Sequence, residues 1–367
     1  MAARHDEDDL RFMRRALRLA ERGRGRVNPN PVVGAVVVRA GRVVGQGWHR
    51  ALGEPHAEAM ALARAGAHAR GATLYVTLEP CAHVGRTPPC VEALIRAGIR
   101  RCVVATRDPH RVVNGRGLRR LRAAGIRVEV GVLGDEVRRQ LAGYLLTHTR
   151  GRPRVTLKLA ASLDGRIAPA GGFARRGAGR WLTGAVARRA AHRLRSLADA
   201  VVIGAGTARA DDPRLTARAV AAPHQPLRVV CDTRLGLPGR LRLLRGGRGT
   251  VVACGRSAPA RRHRELEARG VEVWRLPATP AGVSPRALLR RLARAGCHEV
   301  LLEGGAALAT SWLRAGVIDR IALFVAPKVL GAGGLAWPGP LGRAWAGRVA
   351  AVGRLGRDLC CMVEREG

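Results

Sequence analysis

Two short stretches decide how this chain is read: Gly53-Glu54-Pro55-His56-Ala57-Glu58, and Thr77-Leu78-Glu79-Pro80-Cys81 with Cys90 following after eight residues. They supply one imidazole, two thiols and one carboxylate. This is the donor set of a zinc site that activates water: His56, Cys81 and Cys90 leave a fourth coordination position to solvent, and Glu58 stays unligated to move protons. Zinc lowers the pKa of its water towards ~7, and the resulting hydroxide attacks a ring carbon that bears an exocyclic amine. Glu58 then returns the proton to the departing nitrogen. The implied reaction is hydrolytic deamination.

A lone His-Ala-Glu is common, and intracellular cysteines are more often buried apolar residues than ligands. Specificity comes from order, because Pro80-Cys81 closes the strand-like run Ala72-Thr73-Leu74-Tyr75-Val76-Thr77-Leu78. His56 and Glu58 are expected to open a helix over 57–65, and Cys81 and Cys90 to flank a second over 91–97. Two positive helix N-termini then face the metal and favour thiolate and carboxylate.

A length of 367 residues exceeds the usual range of a single core, so two domains are expected. No apolar leader-like run follows Met1 and no long uncharged apolar stretch occurs, which predicts a soluble, cytoplasmic protein without membrane partners. The eight cysteines are irregularly spaced, as in a reducing compartment. The net charge of +38 invites a nucleic-acid reading. Its distribution argues otherwise. Lysine occurs only at Lys158 and Lys328, arginine is spread over the whole length, and aromatics make up 3%, too few for base-stacking platforms. No specific nucleic-acid partner is expected.

Apolar periodicity predicts a helix over 10–22, a hairpin of 32–38 with 42–47 about Ala40-Gly41, and strands at 72–78, 102–105 and 127–130 between helices at 91–97 and 117–124. One helix over 135–145 is expected to close a first domain of residues 1–147. A polar Gly- and Pro-containing connector over 148–152 leads to a second domain, 153–367, in which strands and helices again alternate. The expected class is α/β in both halves.

At this point the residues resemble one family closely, the bifunctional riboflavin-biosynthesis deaminase/reductases, from about Leu10 to the C-terminus. The first half carries it in Asn28-Pro29-Asn30-Pro31-Val32-Val33-Gly34, in the His56 segment, and in the eight-residue spacing between Cys81 and Cys90, where nucleic-acid deaminases place two. The second half carries it in Lys158-Leu159-Ala160-Ala161-Ser162-Leu163-Asp164-Gly165, Arg180-Trp181-Leu182-Thr183, Asp211-Asp212-Pro213, Glu303-Gly304-Gly305 and Ala326-Pro327-Lys328. Ala82, His110 and Gly179 depart from the family pattern.

The resemblance implies a cytidine-deaminase-like α/β/α domain followed by a dihydrofolate-reductase-like α/β domain, with one Zn²⁺ and NADPH as cofactors. It implies that 2,5-diamino-6-ribosylamino-4(3H)-pyrimidinone 5′-phosphate is deaminated and its ribosyl group then reduced to ribityl. It further implies substrate contacts at Asn30, His49, His83, Arg86, Lys158, Gly179, Arg195, Leu215, Arg218 and Glu303, with an arginine pair on the phosphate. Cofactor contacts are implied at Ala160, Trp181, Thr207, Asp211, Thr233, Gly304 and Gly305. No proton donor for the reduction stands out, and a homo-oligomer is left open. The competing reading is a zinc deaminase of another pyrimidine or nucleoside with an inactive reductase-like binding domain.

Overall fold

The computed structural model describes residues 6–84, 88–173, 181–245 and 249–366, and the chain divides into two compact units, 1–151 and 152–367. The first unit runs α1 (Glu7–Glu21), β1 (Gly34–Arg39), β2 (Arg42–Trp48), α2 (Ala57–Ala65), β3 (Thr73–Leu78), α3 (Cys90–Arg96), β4 (Arg101–Thr106), α4 (Arg116–Ala123), β5 (Arg127–Val130), α5 (Gly134–Gln140) and α6 (Ala142–Arg150). Its five strands are ordered β2-β1-β3-β4-β5, with β1 antiparallel to both neighbours and β3, β4 and β5 parallel.

The apolar runs of the central strands follow from burial on both faces. Val36, Tyr75, Val103 and Ala105 join Met13 and Ala16 of α1 and Val137 of α5 in one core. Ala35, Val37, Leu74, Val76 and Val104 join Ala57 and Ala61 of α2, Leu94 of α3 and Leu121 of α4 in the other. The hairpin turn is as expected, with Ala40 at φ 47° and Gly41 at φ 72°, the left-handed pair that a tight two-residue turn requires.

Two expectations are corrected. The helix expected over 135–145 is two helices, parted at Leu141 (φ −95°, ψ 9°). The irregular connector expected at 148–152 is helical through Arg150 and stops at Gly151 with φ 64°. Its polar residues sit in a helix because Thr147 and Thr149 donate their hydroxyls back to the carbonyls of Gly143 and Leu145 at 2.8 and 2.7 Å.

The second unit contains β6 (Arg154–Ser162), β7 (Arg166–Ala168), α7 (Ala185–Leu197), β8 (Ala200–Gly204), α8 (Ala205–Asp211), β9 (Leu227–Cys231), α9 (Arg242–Arg245), β10 (Thr250–Gly255), α10 (Ala260–Glu267) and β11 (Glu272–Leu276). It continues with β12 (Ala278–Thr279), β13 (Gly282–Val283), α11 (Pro285–Arg294), β14 (Glu299–Leu302), α12 (Ala306–Arg314), β15 (Arg320–Ala326), β16 (Leu335–Ala336), β17 (Gly347–Leu355) and β18 (Asp358–Arg365). Nine strands form one sheet in the order β11-β10-β9-β8-β14-β6-β15-β18-β17. The first seven in this order are parallel, and β18 and β17 add antiparallel. Helices α11 and α12 cover one face, and α7, α8 and α10 the other. Because β14 inserts between β8 and β6, strand order reverses there, and the crevice beyond the carboxyl ends of these strands is where such sheets hold ligands.

In the first unit α2 lies so close to β2 that glycine is required beneath it. A Cβ at Gly45 would stand 2.2 Å from the Ala61 carbonyl oxygen, and one at Gly47 2.4 Å from that of Ala57. Gly45→Ala is therefore expected to destabilise the protein by about 1–3 kcal/mol, the usual cost of overpacking, measured as a lowered denaturant midpoint at unchanged slope.

Candidate functional site

His56 stands at the N-cap of α2 with extended backbone (φ −68°, ψ 163°), so Glu58 falls in the first turn. Cys81 follows β3 after the rigid Pro80, and Cys90 is the first residue of α3. His56 Nδ1 lies 3.3 Å from Cys90 Sγ and 3.6 Å from Cys81 Sγ, and the three donor atoms all lie within 4.8 Å of one another. Zn–N and Zn–S bonds of about 2.0 and 2.3 Å in a tetrahedron put N and S about 3.5 Å apart, so the donors fit zinc in type and spacing.

The backbone prepares the thiols. The Cys90 N–H donates to Cys81 Sγ at 3.4 Å, and the Val91 N–H to the Cys81 carbonyl at 3.2 Å. The hydrogen bond from the Cys90 thiol, helped by His56, pulls Cys81 down to about 4, whereas Cys90 is pushed up by its bond to Cys81 and by burial. The hydrogen bond to Cys81 raises His56 despite burial. Glu58 is 4% exposed, and burial, followed by the charge of Cys81, lifts its carboxyl to about 6. A carboxyl with that pKa can both take and give a proton near neutrality.

Asn30 and His49 join this group. His49 is buried rather than on the surface, and its ring meets that of His56 edge-on at 5.3 Å. Its Nδ1 faces the Pro55 carbonyl at 3.3 Å, which fixes the proton there and leaves Nε2 to accept from Asn30 Nδ2 at 3.1 Å. Burial lowers the His49 pKa and so favours the neutral ring. His83 is exposed on the Cys81 loop, and Arg86 lies outside the described residues.

In the second unit the structure gathers Lys158, Ala160, Arg195 and Glu303. Lys158 and Ala160 share a face of β6, opposite Ala322 and Phe324 of β15. Glu303 follows β14, and both its oxygens accept from Arg195 of α7, from Nε at 2.6 Å and from the terminal nitrogen at 2.7 Å. Arg195 donates with its other terminal nitrogen to the Thr216 carbonyl at 3.3 Å. Nε and one terminal nitrogen of Arg195 thus face the half-buried Glu303 carboxylate. Burial alone would raise Glu303, but Arg195 and Lys158 hold it below its usual range. Lys158 is lowered, first by burial and also by Arg195, with Glu303 opposing.

At the strand-order reversal the Gly305 N–H donates to Thr207 Oγ1 at 3.2 Å, tying the turn after β14 to α8. Neither Gly304 nor Gly305 has positive φ; Gly304 is small because a Cβ would press Leu308 at 3.0 Å. A Cβ at Gly206 would meet nothing within 4 Å, so this rim is open. Such a rim suits a dinucleotide lying across the strand ends. Trp181 is 44% exposed under the Arg188 guanidinium, with its carbonyl accepting from Lys328 Nζ at 3.3 Å. Thr233 follows β9 and accepts from the Gly255 N–H at 2.9 Å. Asp211 and Arg218 are exposed, and Gly179 lies outside the described residues. Leu215 is packed in the core at φ 54°, 1% exposed, which leaves only its backbone for a ligand.

Sequence reasoning missed Glu79, whose buried carboxylate receives four backbone N–H groups. It also missed the Lys158–Glu303–Arg195 grouping as such. Among the described residues no helix is long and apolar enough to cross a membrane.

Comparison with known proteins accords with both halves. Residues 153–360 match the RibD C-terminal domain, and residues 6–106 the cytidine and deoxycytidylate deaminase zinc-binding region. The riboflavin biosynthesis protein RibD of Aquifex aeolicus is 42% identical over 327 residues, 89% of either chain. That of Escherichia coli is 39% identical over 338 residues, 88% of this chain and 89% of the relative. The structure of Acinetobacter baumannii RibD, form 1, matches with a TM-score of 0.87 at 37% identity, over 98% of this chain and 99% of that one. A Thermotoga maritima diaminohydroxyphosphoribosylaminopyrimidine deaminase/5-amino-6-(5-phosphoribosylamino)uracil reductase matches with a TM-score of 0.83 at 34% identity, over 98% and 99%. With a cytidine-deaminase-like α/β/α unit followed by a dihydrofolate-reductase-like one, the chain belongs to the RibD family of bifunctional deaminase/reductases of riboflavin biosynthesis.

Proposed function

We propose that this chain deaminates 2,5-diamino-6-ribosylamino-4(3H)-pyrimidinone 5′-phosphate at the His56–Cys81–Cys90 site and reduces the product's ribosyl group to ribityl beside Lys158 and Glu303. The observation that carries the reading is the convergence of three donor atoms within 4.8 Å beside the buried carboxyl of Glu58. Zinc held there supplies the Lewis acidity that makes water nucleophilic near neutral pH. Glu58 accepts a proton from the attacking water on its carboxylate and delivers it to the exocyclic amine, which leaves as ammonia. With His49 holding one N–H of the Asn30 amide, the other N–H and the carbonyl are left to pair with the edge of the pyrimidine.

For the second step NADPH, held along the rim of α8 and the turn after β14, would supply the hydride that reduces ribose C1′. The C1′–O4′ bond breaks as that carbon is reduced, and the ring oxygen takes a proton. Lys158, half-buried on β6 within electrostatic reach of Glu303, is suited to give it, since burial lowers its pKa and eases proton release. Glu303, fixed by two bonds from Arg195, orients the sugar and Lys158. Thr207, Thr233, Gly304, Gly305, Trp181 and Ala160 form the cofactor side, and Arg218 and His83 reach the phosphate or ring from exposed loops. The rival reading, an inactive binding domain, fits poorly with a lysine and a glutamate both taken partly out of water within electrostatic reach of one another in the second unit.

Four outcomes are expected. Glu58→Gln should lower ammonia release about 10²–10⁴-fold with zinc content unchanged by metal analysis, and full turnover would remove Glu58 from its role. Lys158→Met should abolish NADPH oxidation while sparing ammonia release. In the wild type the reductive rate should fall as pH rises through the depressed Lys158 pKa, because the proton-bearing form is lost earlier than from an ordinary lysine near ~10.4. Asp211→Ala should raise KM for NADPH alone, and an equal loss of deamination would contradict two independent sites.

A further inference from the structure

Glu79 is 4% exposed and stands two residues before the ligand Cys81. Its Oε1 accepts from the N–H groups of Gly117 and Leu118 at 3.0 and 3.3 Å, and its Oε2 from those of Gly115 and Asp108 at 3.0 and 3.3 Å. Four donors fill the acceptor sites of one carboxylate. The need for them is local. Helix α4 begins after Gly115, which offers no side chain to cap it, so the first-turn N–H groups of Gly117 and Leu118 would be orphaned in the interior. Glu79 caps the helix from a distant point in sequence, with its negative charge at the positive end of α4.

This cap also holds the strand end. The Pro80 carbonyl oxygen lies 2.0 Å from where a Cβ of Gly117 would be, so α4 touches the backbone immediately before Cys81. On its other side Cys81 is held by the N–H groups of Cys90 and Val91. Pro80, with its ring-fixed φ, transmits the position of one contact to the other.

We propose that Glu79 is a positioning residue for the zinc site, setting where the Cys81 sulfur stands by locking the end of β3 onto the N-terminus of α4. The inference rests on the reading of His56, Cys81 and Cys90 as zinc ligands. Glutamine at 79 keeps the shape but turns an NH₂ group towards backbone N–H groups, so the lock opens while every ligand stays in place. Gly117→Ala loosens it from the other side, by driving a methyl group against the Pro80 carbonyl, and it favours the helix in which it sits.

The test is zinc affinity by chelator competition on the full chain, wild type against Glu79→Gln and Gly117→Ala, together with the thiolate-to-cobalt charge-transfer spectrum of the cobalt-loaded proteins. Both variants should bind zinc about 10–100-fold more weakly, the usual cost of removing support from behind a ligand, and the cobalt band per bound ion should shift or weaken. A purely structural role would lower the folded fraction and leave the spectrum of each bound ion unchanged, which would overturn the proposal. So would affinities within about twofold of wild type in both variants. If Glu79→Gln does not fold, Gly117→Ala alone decides by the same criteria. A wild-type chain that fails to take up zinc would refute the ligand reading itself, a result distinct from any difference between variants.

Discussion

The helix that begins at His56 can be placed only because β2 presents hydrogen atoms where other strands present side chains. At Gly45 and Gly47 the backbone of α2 approaches to distances no Cβ tolerates, and the alanines Ala57, Ala61 and Ala65 make the matching surface on the helix. Two consequences meet at the first turn. The N-cap imidazole of His56 is brought to the level of the loop after β3, and Glu58, one turn face further, is driven into the interior instead of towards water. Burial then does chemical work, since the same loss of solvent that would normally exclude a carboxylate lifts Glu58 to about 6.

In a chain with 65 basic and 27 acidic side chains, an arginine contact is weak evidence of function, because nearly every carboxylate can find one. The acids that are buried or half-buried are more informative. Asp9, 3% exposed, binds Arg101 at 2.8 and 2.6 Å and the Tyr75 hydroxyl at 2.7 Å, and so fastens α1 to β3 and β4. Asp319 takes a bidentate pair from Arg152 at 2.7 Å and fixes the entry to β6. Glu303 takes the same kind of fork from Arg195 but keeps Lys158 beside it, and an ammonium brought under cover without a carboxylate of its own is costly unless it has a use. Glu58 and Glu79 depart from the pattern in opposite ways: one is left with thiols and an imidazole, the other is saturated by backbone N–H groups.

The zinc-type donor set was legible in sequence because each donor sits at a boundary that sequence marks. His56 precedes an alanine-rich helix, Cys81 follows a strand and a proline, and Cys90 follows Pro88-Pro89 into α3. Glu79 was not legible, since its partners lie 29 to 39 residues away and are backbone groups that any sequence would offer. Nor was the approach of Lys158 to Glu303, which depends on β14 slipping between β8 and β6, a step of topology that periodicity does not encode. The hairpin β17–β18 escaped for another reason. Gly347–Leu355 is exposed along nearly its whole length, so no face carries the alternation by which a half-buried strand is recognised.

That insertion of β14 also arranges the strand ends of the second unit. Were β8 and β6 adjacent, the carboxyl end of β6 would face a plain parallel neighbour, and Lys158 would be one more residue in the middle of a strand. With β14 between them, Leu302 pairs with Leu157 and Val202, and the next residue, Glu303, emerges beside Lys158 just where the sheet stops. The turn that follows is then held to α8 by the Gly305–Thr207 bond, so that the start of α12 and the open rim at Gly206 are placed by backbone geometry. The reduction proposed for this unit, with a proton and a hydride delivered to adjacent atoms of one sugar, would draw on such shared rigidity, because a misplacement of about 1 Å in either group can cost a hundredfold in rate.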